Sequence, residues 1–187
     1  ADPGDWGDAP APYPTSRMAV GAVHSPLGPQ LGLLRDTEPD GVPSPDADAD
    51  GPDDDGVTFG PLRAGQLAAE AVVRVENGPA RLDAWIDFNG DGSWGGFFEK
   101  IADSVPVTSG DNVVFFDVSN WAIEGTTHAR FRLSTDGDLA PIGEAADGEV
   151  EDYLVAIAAP GPSDGIFGPE NVIFTDTGYA GDVFAAD

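Results

Sequence analysis

Arg81-Leu82-Asp83-Ala84-Trp85-Ile86-Asp87-Phe88-Asn89-Gly90-Asp91-Gly92 alternates and then turns. Leu82, Ala84, Ile86 and Phe88 fall on one side of an extended chain, and Asp83, Trp85 and Asp87 on the other. Successive side chains of a strand point to opposite faces, so this period of two predicts a strand with one apolar face. The strand runs into Asp87, Asn89 and Asp91, spaced two apart, with glycine at 90 and 92.

The pattern repeats on both sides. Val73 and Val75 alternate with Arg74 and Glu76; Val114, Phe116 and Val118 share a face; residues 150–157 form a last apolar strand. In residues 127–134, Ala129, Phe131 and Leu133 face inward, which puts His128, Arg130 and Arg132 outward. Short alternating runs punctuated by Gly, Pro and Asp, without a long 3.6-residue period, predict an all-β antiparallel β-sandwich, jelly-roll or immunoglobulin-like. A short helix over residues 65–71 is the one helical expectation.

The division follows composition. Residues 1–30 form a Pro-rich arm that packs on the domain or a neighbour, with Trp6, Tyr13 and Met18 as anchors. Residues 31–157 form the sandwich. Residues 158–170 read as a Pro/Gly linker, and residues 171–187 as a strand-like tail able to act as a donor strand.

Charge narrows the partners. The chain has 34 acids against 8 Lys and Arg, a formal net charge of −26, yet 41% of it is apolar. Such a field repels nucleic acid and anionic membranes and attracts cations. No apolar run of about 18 residues is present to span a bilayer. With no cysteine to form disulfides, bound cations are the available staples. That suits an extracellular setting, and Ala1-Asp2-Pro3 fits either a mature N-terminus after removal of a leader or an arbitrary boundary within a longer chain.

The acids also have pattern. Ca2+ takes six to eight oxygen ligands, and acids or amides at positions 1, 3 and 5 followed by Gly at 6 supply several from one turn. Asp87, Asn89, Asp91 and Gly92 fit that spacing, with Ser93 next in line. Position 12, Glu in the helical calcium loop, is Phe98 here, and Glu99 follows it. The competing reading is a plain Asn-Gly hairpin turn without metal. Residues 36–55 hold nine acids and no base, and a second acidic cluster without a base, Glu144, Asp147, Glu149, Glu151 and Asp152, lies at the other end of the β region. Asp46, Asp48, Asp50 and Gly51 repeat the 1-3-5-6 spacing, and Asp53 and Asp55 follow. Glu149 and Glu151 share a strand face with Asp152 on the other, a pair for the acidic loop to meet through a shared ion. The candidate ligands are thus Asp87, Asn89, Asp91, Ser93 and Glu99, and Asp46, Asp48, Asp50, Asp53, Asp55, Glu149, Glu151 and Asp152, for two or more Ca2+. A plain solvated acidic loop is the alternative for residues 46–55.

Gly148-Glu149-Val150-Glu151-Asp152-Tyr153 carries a family resemblance. It is joined by Trp6-Gly7-Asp8-Ala9-Pro10 with Tyr13, by Gly21-Ala22-Val23-His24, by residues 48–57 and 82–92, and by Ala129-Arg130-Phe131-Arg132-Leu133-Ser134-Thr135. Together these resemble the GEVED domain family, modules of large secreted and surface-attached bacterial proteins. The resemblance implies an extracellular β-sandwich with bound calcium and a role in adhesion or surface architecture. Trp94-Gly95-Gly96-Phe97-Phe98 is unusually aromatic for a calcium loop, and the segment after residue 158 lies outside the pattern.

No Gly-x-Ser-x-Gly or His-Glu-x-x-His motif occurs, and carboxylate pairs among so many acids carry no specificity, so a non-enzyme is expected. The expected function is a calcium-stabilised structural or adhesive protein, a repeating fibre subunit assembled head to tail by strand exchange or docked on other surface proteins. The alternative is a carbohydrate-binding module of a secreted enzyme, with Trp85, Trp94, Phe97 and Phe98 exposed to stack on glycans.

Overall fold

A computed structural model describes residues 3–49 and 52–161. The expected tail and most of the linker, and Asp50 with Gly51, lie outside the described residues. The chain is all-β. In order the strands are β1 (Asp5–Trp6), β2 (Val23–His24), β3 (Gln30–Leu31), β4 (Val57–Phe59), β5 (Leu62–Arg63), β6 (Ala69–Glu76), β7 (Ala80–Ile86), β8 (Lys100–Val107), β9 (Gly110–Phe116), β10 (Gly125–Ser134), β11 (Glu144–Ala145) and β12 (Glu149–Ala158). Residues 65–68 make a turn into β6 rather than the expected helix. Ala69, Ala71, Val73 and Val75 are all buried on one face, so the two-residue period overrides alanine's helical preference.

β5-β12-β10-β7-β8 form a five-stranded sheet. β6 pairs with β9 along one edge, and with β3 and β4 along the other. The inward residues of these two sheets share one apolar core, which includes Val73, Leu82, Ile86, Phe131, Leu133 and Ile157. Burying each such side chain contributes about 1.5–3 kcal/mol. Phe59, Phe131 and Tyr153 meet edge-on at its margin, with ring centroids 5.6–6.0 Å apart.

The other face of the five-stranded sheet differs from the expectation. Arg130 and Arg132 do stand opposite the apolar set, but both are fully buried, and His128 is nearly so. The Pro-rich arm and residues 136–148 cover them. Asp152 pairs with Arg130 across β10 and β12 and receives Nε and Nη2 at 2.7 and 2.6 Å. Arg130 Nη1 donates to the carbonyls of Pro14 and Pro141. Arg132 has no carboxylate partner of that kind; it donates to His24 Nε2 and to the carbonyls of Ala140, Ile142 and Gly143. Two arginines thus hold arm and loop against the sheet by satisfying their backbone acceptors.

The arm is itself ordered by this surface. β1, β2 and β11 form a small third sheet. Ala9 and Tyr13 bury against Trp85 and Trp94, with Tyr13 stacked on Trp94 at 4.5 Å and Arg130 over the Trp94 ring at 4.2 Å. Trp85 and Trp94 are therefore interior packing residues, 2% and 3% exposed, not the exposed glycan platform expected; Phe97 and Phe98 are exposed.

Candidate metal centres

The 87–99 loop begins where β7 leaves the sheet. Asp87 is fully buried, and its carboxylate accepts the backbone N–H groups of Gly90 (2.7 Å), Asp91 (3.3 Å) and Gly92 (2.9 Å) and the Tyr13 hydroxyl (2.6 Å). The spacing dictates this closure, because a short acid at the start of a tight turn satisfies amides that have no strand partner. Gly92 has φ +79°, and a Cβ there would stand 2.2 Å from Pro12 Cγ; only glycine lets the arm lie this close. Asn89 Oδ1 accepts the Asp91 N–H, and Asp91 Oδ1 accepts the N–H and hydroxyl of Ser93.

Glu99 closes the loop from the position just before β8. It is fully buried. Oε2 accepts the Gly96 N–H at 2.6 Å, whereas Oε1 is buried with no hydrogen-bond partner. Burial, then the nearby charges of Asp87 and Asp91, raise its pKa, against the Gly96 hydrogen bond. An orphaned, buried carboxylate oxygen with two further acids close enough to act on it is a position a hard cation can satisfy. The chemistry of Asp87, Asn89, Asp91, Ser93 and Glu99 fits Ca2+, although no three acids or histidines among the described residues already form a closed ligand set.

The second acidic region divides. Asp46 and Asp48 are exposed, and Asp48 pairs with Ser44; nothing draws either toward β12. Asp55 accepts the N–H of Leu33. Glu151 is engaged by the N–H groups of Asp55 and Gly56 and the Tyr153 hydroxyl. Asp152 belongs to Arg130 and to the Ala9 N–H. In the structure these three bind chain to chain.

Asp53 and Glu149 behave otherwise. Both are buried, and Asp53 Oδ1 and Glu149 Oε1 have no hydrogen-bond partner. The acids around them are Asp5, Asp36 and Glu38, which the spacing of the sequence does not single out. They come from the arm and the loop after β3. Only their strand partners would have revealed the convergence: Asp5 lies on β1, whose neighbour is β2, and its carboxylate accepts the Val150 N–H of β12 at 2.8 Å.

No curated protein and no solved structure matches the chain. The family model of the GEVED domain matches residues 81–156. That stretch runs from β7 and its Asp87 loop, through the two buried arginines of β10, to the Glu149–Asp152 segment, where Arg130 holds Asp152, and over it the chain is similar to the GEVED domain family.

Proposed function

We propose that the chain is a calcium-stabilised β-sandwich module of an extracellular or cell-surface assembly, with a structural or adhesive rather than catalytic role. The orphaned, buried Glu99 oxygen beside Asp87 and Asp91 carries the reading. Asp87, Asn89, Asp91, Ser93 and Glu99 would hold the ion. The ion would supply positive charge to a loop that otherwise turns its acids on its own amides. The formal charge of −26 supports the same conclusion, because bound cations relieve the self-repulsion of the compact state. Self-assembly enters through residues 171–187, whose Val172, Ile173, Phe174 and Thr175 suit a strand added to the open edge of another copy.

Calorimetric titration of the chelated protein with Ca2+ tests the reading. Binding that Glu99→Gln weakens at least tenfold supports it. A protein that takes up no Ca2+ at millimolar concentration refutes it.

The alternative carbohydrate-binding reading has an observation of its own. Phe98, Lys100, Phe116, Asn120 and Trp121 line an open groove of about 360 Å³, and Trp121 is 44% exposed. Aromatic faces beside polar groups suit a sugar ring. Glycan binding lost in Trp121→Ala, with Ca2+ binding intact, would favour it.

A further inference from the structure

We propose a second cation site, built from Asp5, Asp36, Glu38, Asp53 and Glu149, that clasps the N-terminal arm to the end of the sandwich. The inference rests on the calcium reading for the kind of ion but on different residues, four of them outside the matched GEVED stretch.

Four separate pieces of chain approach one another here, although no three of their carboxylates already form a closed ligand set. Asp5 comes from β1, Asp36 and Glu38 from the loop after β3, Asp53 from the loop before β4, and Glu149 from the start of β12. Each is anchored by one carboxylate oxygen or by a neighbouring acid. Asp5 Oδ1 accepts the Val150 N–H at 2.8 Å, Glu38 Oε2 the Trp6 N–H at 3.3 Å and Glu149 Oε2 the Leu31 N–H at 2.5 Å. Asp36 stands within hydrogen-bonding reach of both Glu38 and Asp53. The second oxygens of Glu38, Asp53 and Glu149 are buried and have no partner. Glu149 is 1% exposed and Asp53 8%, so solvent does not replace the missing donors.

The charge balance is equally one-sided. Five acids face a single cation, Arg35, whose Nε lies 3.7 Å from Glu149 Oε2 and whose guanidinium also donates to the Pro29 carbonyl. Five ionised acids and one arginine leave four negative charges, with Asp5, Asp53 and Glu149 buried, Glu38 half-buried and Asp36 at the exposed rim. Isolated buried charges are costly, and clustered acids are stable only when protonated or when bound to a cation. Burial is the first cause that raises the pKa of Asp5, Glu38, Asp53 and Glu149, and neighbouring acids raise each further. An all-oxygen set without His or Cys selects a hard divalent ion, Ca2+ before Zn2+. Four of the five acids lie on segments that are otherwise joined to β12 by few backbone bonds, so an ion here links arm, two loops and sheet at one point.

The clasp explains why the arm follows the domain surface. Gly4 exchanges backbone hydrogen bonds with Glu38, and Trp6 is buried directly beyond Asp5. Farther along, Tyr13 reaches Asp87 of the first centre. The arm is thus held at both ends by residues that answer to a cation.

Calorimetry and amide hydrogen exchange on the full chain test the proposal, with Ca2+ as the probe. Wild type is compared with Glu149→Gln, with Asp36→Asn at an exposed position that leaves the core untouched, and with Glu99→Gln in the other centre. The expected result is that Glu149→Gln and Asp36→Asn each lose one ion per chain, or weaken one binding step at least tenfold, while the step lost in Glu99→Gln persists. Chelation should speed exchange of the amides of residues 4–9 at least tenfold in wild type. Unchanged stoichiometry and affinity in both Asp36→Asn and Glu149→Gln would overturn the proposal and leave the Glu99 centre standing. An arm equally protected with and without Ca2+ would overturn the clasp as well. Loss of ions in Glu99→Gln alone separates failure of this site from failure of the calcium reading.

Discussion

Replacing Asp152 by Asn removes the countercharge of an arginine that has no access to water. Both groups are fully buried, and the pair is bidentate, with contacts of 2.7 and 2.6 Å. The remaining partners of Arg130, the carbonyls of Pro14 and Pro141 and the Trp94 ring, leave its charge uncompensated. Asn also makes one of its two positions a donor, which turns an N–H toward the guanidinium or toward the Ala9 N–H that the carboxylate now satisfies at 2.9 Å. Breaking one side of such a pair costs about 3–5 kcal/mol. A domain of this size has roughly 5–15 kcal/mol of stability to lose. At about 2–4 °C per kcal/mol, the melting temperature should fall by roughly 6–20 °C. Urea denaturation in saturating Ca2+ measures the change without confusion with metal loss. The double variant Arg130→Met with Asp152→Leu should recover part of the loss, because it removes the stranded charge along with its partner. A destabilisation by Asp152→Asn below about 1 kcal/mol would refute the view that this pair holds the arm.

Chelation should lower the melting temperature and millimolar Ca2+ restore it; a ligand at a hundredfold excess over Kd contributes about 2.7 kcal/mol, and equal melts in the two conditions would count against both centres. Mg2+ should protect less well, since it demands tighter octahedral geometry and keeps its waters; differential scanning calorimetry with each ion at equal concentration compares them. In chelator, stability should fall as pH rises. Burial first, then neighbouring acids, raise Glu149 from 4.5 to about 10, and burial raises Glu151 from 4.5 to about 8. The folded state holds these protons more tightly than the unfolded one, so their contribution is complete below pH 4.5 and is lost as pH climbs through the raised values. With Ca2+ present the ion competes with the protons, so the stabilisation it confers should grow across the same window; urea midpoints at several pH values, with and without Ca2+, show whether the two trends diverge. Removing residues 162–187 should abolish calcium-dependent oligomers on mass photometry if those residues supply the donor strand, and unchanged oligomers would shift suspicion to the arm.

The strands were legible because alternation is a local signal. Residues 69–76 and 127–134 each declare their own inward face, and the core contains the inward sets of both. What covers the outward face was not local. Arg130 and Arg132 read as solvated in a single strand, since charged residues at every second position are the usual mark of an exposed face. Their burial depends on backbone carbonyls at Pro14, Ala140, Pro141, Ile142 and Gly143, supplied by segments with no alternation of their own. The burial of Trp85 and Trp94 is non-local for the same reason: a Pro-rich arm shows no period, yet its Ala9 and Tyr13 pack with those rings in one buried cluster.

The two candidate centres divide along the same physical line. In residues 87–93 the groups meet within one turn, so spacing alone brings Asp87, Asn89, Asp91 and Ser93 together, and only Glu99, one residue beyond position 12 of the loop pattern, joins from outside that turn. The other centre is composite. Asp46, Asp48 and Asp50 carry the better local spacing, yet Asp46 and Asp48 stay at the surface, while Asp5, Asp36 and Glu38, which have no such spacing, meet Asp53 and Glu149. Their placement follows from register: β3 pairs with β6 through Leu31 and Val75, the Leu31 N–H holds Glu149, and the Val150 N–H holds Asp5. Each of those backbone groups is fixed by a strand edge. A carboxylate that caps an edge amide with one oxygen has the other left to face its neighbours. Two strands, β1 and β12, and the loops after β3 and before β4 therefore bring near one another acids that sequence spacing scatters over about 145 positions, the separation of Asp5 from Val150.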